Sequence, residues 1–526
     1  MINLKEHFYH WRFLRSWRPY LVIIVLGFLL YSQILFFDLT YLDDNTLIID
    51  NQDIISDIKN LPLIFSSDAF FSGTNFYYRP ILNLSFMLDT VLAGDIYFVY
   101  FLVNILLHLA TAIMVFLILQ KINIRKSASF LLSLVFLMHP AISQAVAWLP
   151  GRNDSLLAIF AIPAIWFLIL FNEKPKLRFL LLYTLFFFLA LLTKETSVFL
   201  PVLAVAYFLT IGRRQAAGKS EKFLVLLMSF FAGVIWYLMR NLAFGSENIS
   251  MVDALQSIGS NLLNAIVLMG KIMLPINLSV LPVPADSSLW WAAAAFSLTI
   301  IAFFKSREIN WLRWFFGLSW LLIFLLPPFV ISASAPYILE HRLYLPIVGF
   351  LIMASELSFI KKLDFTRKKV KIIVFGVLIV LALITFFHSH QFKNRLVFWE
   401  SAVKDSPHSV LAQKNMGAMY YLDGRLKEAE KHYLEALRLE PSEPMVNNNL
   451  GLIYVGQGDE EMAEKFFLKE LSLYPDYDKA LFNLGFLYYK QGKISEAKYL
   501  LEACLRSNPR HSDAYRYLDL IYNQIK

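Results

Sequence analysis

Apolar residues come in long runs up to about residue 390 and in short, interrupted stripes after it. A helix needs about 20 consecutive apolar residues to cross a bilayer. Runs at 19–37, 98–119, 127–140, 154–171, 177–193, 196–211, 222–240, 289–304, 312–332, 343–360 and 371–388 predict about eleven spans. Several are short, so their ends are expected to be buried in protein or to border a water-filled cavity. The stretch 254–274 is apolar enough to span. It is read as an interfacial or re-entrant helix, because counting it would invert every later loop.

After residue 390 the pattern changes to a repeat. Pro407, Pro441, Pro475 and Pro509 recur every 34 residues. In phase with them come Asn415, Asn449 and Asn483, then Gly417, Gly451 and Gly485, then Ala429, Ala463 and Ala497. A 34-residue helix–turn–helix unit of this composition is a tetratricopeptide repeat, TPR. Small residues let its two helices approach, glycine marks the turn and proline stops the second helix. The expected repeats are 407–440, 441–474 and 475–508, with flanking helices at 395–406 and 510–524. The predicted fold is therefore all-α. A polytopic membrane bundle fills 1–390, and a TPR α-solenoid follows over 391–526.

Composition supports two domains in two solvents. Of 526 residues, 58% are hydrophobic and 17% charged, against roughly 25% charged in soluble domains. The net charge of +8 comes as short basic clusters between apolar runs. That is a topology signal, and it gives no support to nucleic-acid binding. With eleven spans, every cluster falls on one side: Arg12, Arg15 and Arg18; Lys121, Arg125 and Lys126; Lys174, Lys176 and Arg178; Arg213 to Lys222; Lys305 and Arg307; Lys361 to Lys371. The N-terminus is then cytoplasmic and the TPR array extracytoplasmic. The leader lacks a small-residue cleavage site, so the first run reads as an uncleaved span. Cys504 is the only cysteine, which excludes a disulfide framework and a thiolate metal site.

Ionisable residues gather at the outer ends of the expected spans. The first outer loop, 38–97, opens on Asp43 and Asp44, and either could act as a general base. Arg79 stands among aromatics before an apolar helix. His139 and Arg152 flank one hairpin turn, Lys194 and Glu195 split two apolar runs, and Glu340, His341 and Arg342 open another. Each has a plainer reading: a solvated loop acid, a snorkelling arginine, a Lys–Glu bridge at a hairpin. Charges so near membrane depth are nonetheless costly unless paired or lining a cavity. Their convergence on one face predicts a cationic pocket beside a carboxylate, suited to a lipid-phosphate headgroup facing a base.

The segments LDDNTLIIDNQDI, YYRPILNLSF, HPAISQAVAWLPGRNDSL, LLTKETSVFLPVL and EHRLYLP, followed by the TPR array, resemble in order the animal transmembrane-and-TPR O-mannosyltransferases. These belong to the GT-C superfamily of glycosyltransferases. The resemblance implies a GT-C-like bundle, a catalytic acid in the first outer loop and an undecaprenyl- or dolichyl-phosphate sugar as donor. Transfer would take place at the extracytoplasmic face. Carried over by position, Asp43 or Asp44 is the base, with Asp43 favoured. Arg79, Arg152, Lys194, His341 and Arg342 bind the donor phosphate, and His139, Glu195 and Glu340 support them. The resemblance leaves metal dependence open: the Asp pair could also hold a divalent cation, but none is required where a single leaving phosphate is held by arginine or lysine, and no metal ligand is assigned. Three repeats are fewer than the animal proteins carry, which points to a bacterial relative in the inner membrane. A protein or peptide acceptor would dock on the TPR domain. The rival class is a non-enzymatic TPR scaffold. A transporter ranks last, because the charges lie at one face only.

Overall fold

A computed structural model describes residues 13–72, 77–244, 251–327, 329, 339–365 and 367–525. The basic leader through Arg12, residues 73–76 of the outer loop and the end of the expected span 312–332 lie outside the described residues. Every regular element among those described is helical, as the apolar periodicity implies. The chain divides into two compact units, Met1–Phe398 and Trp399–Lys526.

In the first unit the longer helices are α1 (Arg18–Tyr31), α2 (Pro80–Ala93), α3 (Tyr97–Lys121), α4 (Lys126–Leu137), α5 (Arg152–Glu173), α6 (Leu177–Leu191), α7 (Leu200–Leu209), α8 (Lys219–Phe244), α9 (Met251–Met273), α10 (Leu289–Phe304), α11 (Trp311–Leu325), α12 (Pro346–Ala354) and α13 (Lys368–His390). Among the described residues, five stretches are long and apolar enough to cross a membrane: Arg18–Phe36, Tyr97–Lys121, Leu149–Glu173, Lys219–Ala243 and Lys368–His390. A sixth forms if α4 and Pro140–Ala147, bent by 57° at the intervening break, make one crossing. The proline supplies the bend, since it cannot donate to the preceding turn. α6, α7, α10, α11 and α12 are shorter. Short apolar helices are tolerated at membrane depth where the chain at their ends is covered by protein. The 254–274 region forms α9.

Close helix crossings fix the bundle. α11 and α12 meet where Gly317 faces Gly349, and a Cβ on Gly349 would stand 2.5 Å from the Gly317 carbonyl oxygen. Only glycine allows that approach, and dense contact is what holds apolar helices together when lipid is equally apolar.

The second unit stacks α14 (Val410–Leu422), α15 (Leu426–Leu439), α16 (Val446–Gln457), α17 (Glu460–Leu473), α18 (Asp478–Lys490), α19 (Ile494–Ser507) and α20 (Ser512–Ile525). Within each helix pair a large side chain of the second helix meets a glycine of the first. A Cβ on Gly451 would lie 2.5 Å from the Phe467 ring. Ala429, Ala463 and Ala497 are fully buried, which explains their strict spacing.

Candidate functional site

The outer loop that carries Asp43 turns back sharply after α1. Tyr41 has φ +60°, a conformation that costs a non-glycine residue about 1 kcal/mol or more. Asp44 holds the turn. Its carboxylate accepts from Thr40 N (2.6 Å), Thr40 Oγ1 (2.9 Å), Leu42 N (3.2 Å) and Asn45 N (3.1 Å). Asp44 is buried and committed to its own loop. Its neighbour Asp43 points the other way, half-buried, into a cavity.

That cavity has a volume of about 150 Å³ and is lined by Asp43, Arg79, Lys194, Glu195, His341 and Arg342, with Trp148 and Tyr77 among the aromatic walls. Four separate breaks in helical structure deliver the ionisable groups. Arg79 precedes Pro80, and a residue before proline is pushed out of the helical region; its φ is −133° and it leads into α2. Lys194 is extended, φ −157°, in the gap between α6 and the turn before α7. His341 and Arg342 ride on the short turn Glu340–Leu343 before α12.

The charges are partly matched. Arg79 Nε donates to Glu195 at 3.1 Å, and Glu195 also accepts from Tyr78 N at 2.8 Å. The Arg79 guanidinium lies 4.2 Å from the Tyr77 ring centre. With its amide turned to suit both neighbours, Asn153 accepts from Arg79 at 2.9 Å and donates to the Thr193 carbonyl at 3.0 Å. Lys194 is bound by both oxygens of Asp154, at 2.7 and 2.8 Å. His341 Nε2 stands 3.9 Å from the same carboxylate.

Two groups are left over. The Arg342 side chain makes no hydrogen bond or ion pair among the described residues, and neither does the Asp43 carboxylate. Burial pushes the Asp43 carboxyl up to about 6. The Asp44 charge adds to the rise, and Arg79 draws it partly back. Among the described residues, one cation without a hydrogen-bond partner and one easily protonated carboxylate therefore share a small cavity.

The other four residues named from sequence are not on this lining. Asp44 braces the loop, as above. Arg152 is fully buried and paired with Asp89 at 2.5 Å, donating also to Asn104 Oδ1 and the Tyr100 carbonyl, both at 2.7 Å. His139 Nε2 meets the Ile272 carbonyl at 3.0 Å. Glu340 accepts from Lys271 at 2.7 Å and from Ser279 N at 3.1 Å, with His388 Nε2 3.6 Å away. Glu340 thus anchors the turn that carries His341 and Arg342.

Asp89, Lys271 and His388 were not singled out from sequence, although a charge inside an apolar run is a signal for a buried partner. Trp148 carries no charge to mark it in the sequence; its ring lies 5.4 Å from that of His341. Among the described residues, no three His, Cys, Asp or Glu side chains stand together as a metal site.

These features define an all-helical membrane protein with a charged cavity in its membrane unit and a TPR solenoid after it. Residues 80–238 match the family described as dolichyl-phosphate-mannose-protein mannosyltransferase. Residues 399–458, 446–477 and 478–511 match tetratricopeptide-repeat families. The chain is 26% identical over 450 residues to protein O-mannosyl-transferase F38B6.6 of Caenorhabditis elegans, covering 80% of this chain and 63% of that one. It is 24% identical over 463 residues to Homo sapiens TMTC4, of the same description, covering 74% and 62%. A shorter stretch of 146 residues is 35% identical to Homo sapiens TMTC2, covering 27% and 17%. These similarities bear out the resemblance to transmembrane-and-TPR O-mannosyltransferases. The chain spans about three fifths of the length of the first two. Among solved structures, the first TPR of Spaghetti (RPAP3), bound to an HSP90 peptide, is 25% identical, covering 22% of this chain and 92% of that one with a TM-score of 0.21.

Proposed function

We propose that this protein is an inverting membrane glycosyltransferase. It moves mannose or another hexose from a polyprenyl-phosphate donor to a hydroxyl, a serine or threonine of a protein, at the extracytoplasmic face. The observation that carries this reading is Arg342 in the same cavity as Asp43, neither side chain hydrogen-bonded among the described residues. An acceptor hydroxyl gives its proton to Asp43, and its oxygen forms a bond to the anomeric carbon. The bond from that carbon to the phosphate oxygen breaks, and the electron pair leaves on the phosphate. Arg342 meets the growing negative charge there, where fixed cations act most strongly. Arg79 and Lys194, each held by a carboxylate, add positive potential while keeping their positions.

The basic clusters support a cytoplasmic N-terminus, with the cavity on the far side of the membrane and an undecaprenyl carrier if the membrane is bacterial. The TPR domain recruits the protein acceptor. A scaffold would have no use for a cavity that gathers a cation and a carboxylate, neither of them hydrogen-bonded among the described residues.

Membranes containing the full chain and a radiolabelled polyprenyl-phosphate mannose test the proposal. Transfer to protein is expected in wild type, to be all but lost in Asp43→Asn and to be clearly reduced in Arg342→Met. Undiminished transfer in both variants would overturn the assignment.

A further inference from the structure

The basic end of the membrane unit holds a second, chemically different cleft. It lies between α4 and the N-terminal half of α13, has a volume of about 320 Å³, and is walled by Leu14, Phe130, Leu134, Phe365, Val374 and Leu378. It shares no residue with the cavity around Asp43. Exposed Lys371 lies on its rim. Ser127, only 5% exposed, lines the same cleft, and its hydroxyl makes no hydrogen bond among the described residues.

The surroundings are predominantly cationic. α4 opens with Lys126 and α13 with Lys368 and Lys369, and neither helix has an acidic residue in its first turn or a side-chain cap. Free N–H groups and the positive ends of two helix dipoles therefore add to the lysines. Asp364, the acid nearest this rim in sequence, is engaged by Arg367 at 3.3 Å. An apolar slot in contact with bilayer accepts an acyl chain. A rim of this charge selects the headgroup, favouring net-negative lipids and disfavouring those whose phosphate carries its own ammonium.

We propose that this cleft is a binding site for an anionic glycerophospholipid. One acyl chain lies between Phe130, Leu134 and Val374, and the phosphate is held by Lys371, Lys126 and the Ser127 hydroxyl. The proposal is independent of the transferase reading, because it needs neither Asp43 nor a sugar donor.

The test uses the full chain, equilibrated with equimolar dioleoylphosphatidylglycerol and dioleoylphosphatidylcholine and examined by native mass spectrometry for retained lipid. A preference for phosphatidylglycerol of roughly fivefold or more is expected from one or two rim lysines. It should fall towards unity in K126Q/K371Q, and L134W, which fills the slot, should remove the retained lipid. Thermal unfolding of the wild type alone provides a second reading, with phosphatidylglycerol expected to raise the midpoint more than phosphatidylcholine. Equal retention of the two lipids by wild type, or an undiminished preference in K126Q/K371Q, would overturn the site. Inorganic phosphate is the remaining arm: displacement of phosphatidylglycerol by millimolar phosphate would show that the headgroup alone binds, and would overturn the role given to the slot.

Discussion

Both oxygens of Asp154 accept hydrogen bonds from the Lys194 ammonium, at 2.7 and 2.8 Å, joining segments 40 residues apart. The two side chains are 6% and 8% exposed. Removing one partner of such a buried pair strands a charge and costs roughly 3–5 kcal/mol, whereas removing both costs much less. Lys194→Met and Asp154→Asn are each expected to lower the unfolding midpoint of the detergent-solubilised chain, and the double variant to recover part of that loss. A double-mutant cycle read by thermal unfolding checks the coupling.

Asp43 carries opposite demands of stability and chemistry. Burial pushes its carboxyl from an ordinary 3.8 up to about 6 in the folded chain. The folded state therefore binds this proton more tightly than the unfolded state. The stabilisation from the protonated form is complete below pH 3.8 and is lost as pH rises through about 6. Asp43→Asn removes that burden, so at pH 7.5 its unfolding midpoint should equal or exceed that of wild type. A base must be ionised, so transfer by wild type should rise with pH through about 6 to a plateau. The same substitution should cost about 10²–10⁴-fold in transfer rate.

Arg342 should act on donor binding and on the departing phosphate. A charge-assisted hydrogen bond contributes about 1.5–3 kcal/mol, so Arg342→Met is expected to lower kcat/KM for the lipid-linked donor roughly 10- to 100-fold. Because no ion pair is broken among the described residues, the unfolding midpoint should change little. Steady-state kinetics over donor concentration, set beside the melting curve, separate the two effects.

Arg152 should behave in the reverse way. It is enclosed by Asp89, Asn104 and Tyr100, and Lys, with a single donor head, cannot reproduce that fork. Arg152→Lys is expected to reduce the unfolding midpoint clearly while leaving the donor KM of the folded fraction near wild type. A pure donor KM effect would instead make it a phosphate ligand.

In the TPR unit, the fully buried Glu470 accepts from Met445 N at 2.7 Å and Asn448 N at 3.1 Å, closing the start of α16. Glu470→Ala leaves those N–H groups unmet, at a cost of roughly 1–3 kcal/mol. Limited proteolysis should show earlier cleavage near residue 445, with the membrane unit cut as in wild type.

The chain's own pattern determined its two solvents, its helices and its repeats. A lipid-facing helix needs an unbroken apolar run, and a solenoid repeats one packing solution, so Gly451 and Ala463 recur at fixed spacing wherever two helices must touch. The same local logic put ionisable residues at the broken ends of helices. Which of them meet was decided only by tertiary structure. Arg152 and Lys194 look alike in sequence, each a cation beside an apolar run. One folds against Asp89 inside the bundle, and the other reaches Asp154 at the cavity wall. Glu340, adjacent to His341, turns instead to Lys271 on α9. Pairing between charges depends on distance across dozens to hundreds of residues and on burial, neither of which is written into spacing along the chain. That Asp43 and Arg342 have no hydrogen-bond partner among the described residues is therefore a property of the fold.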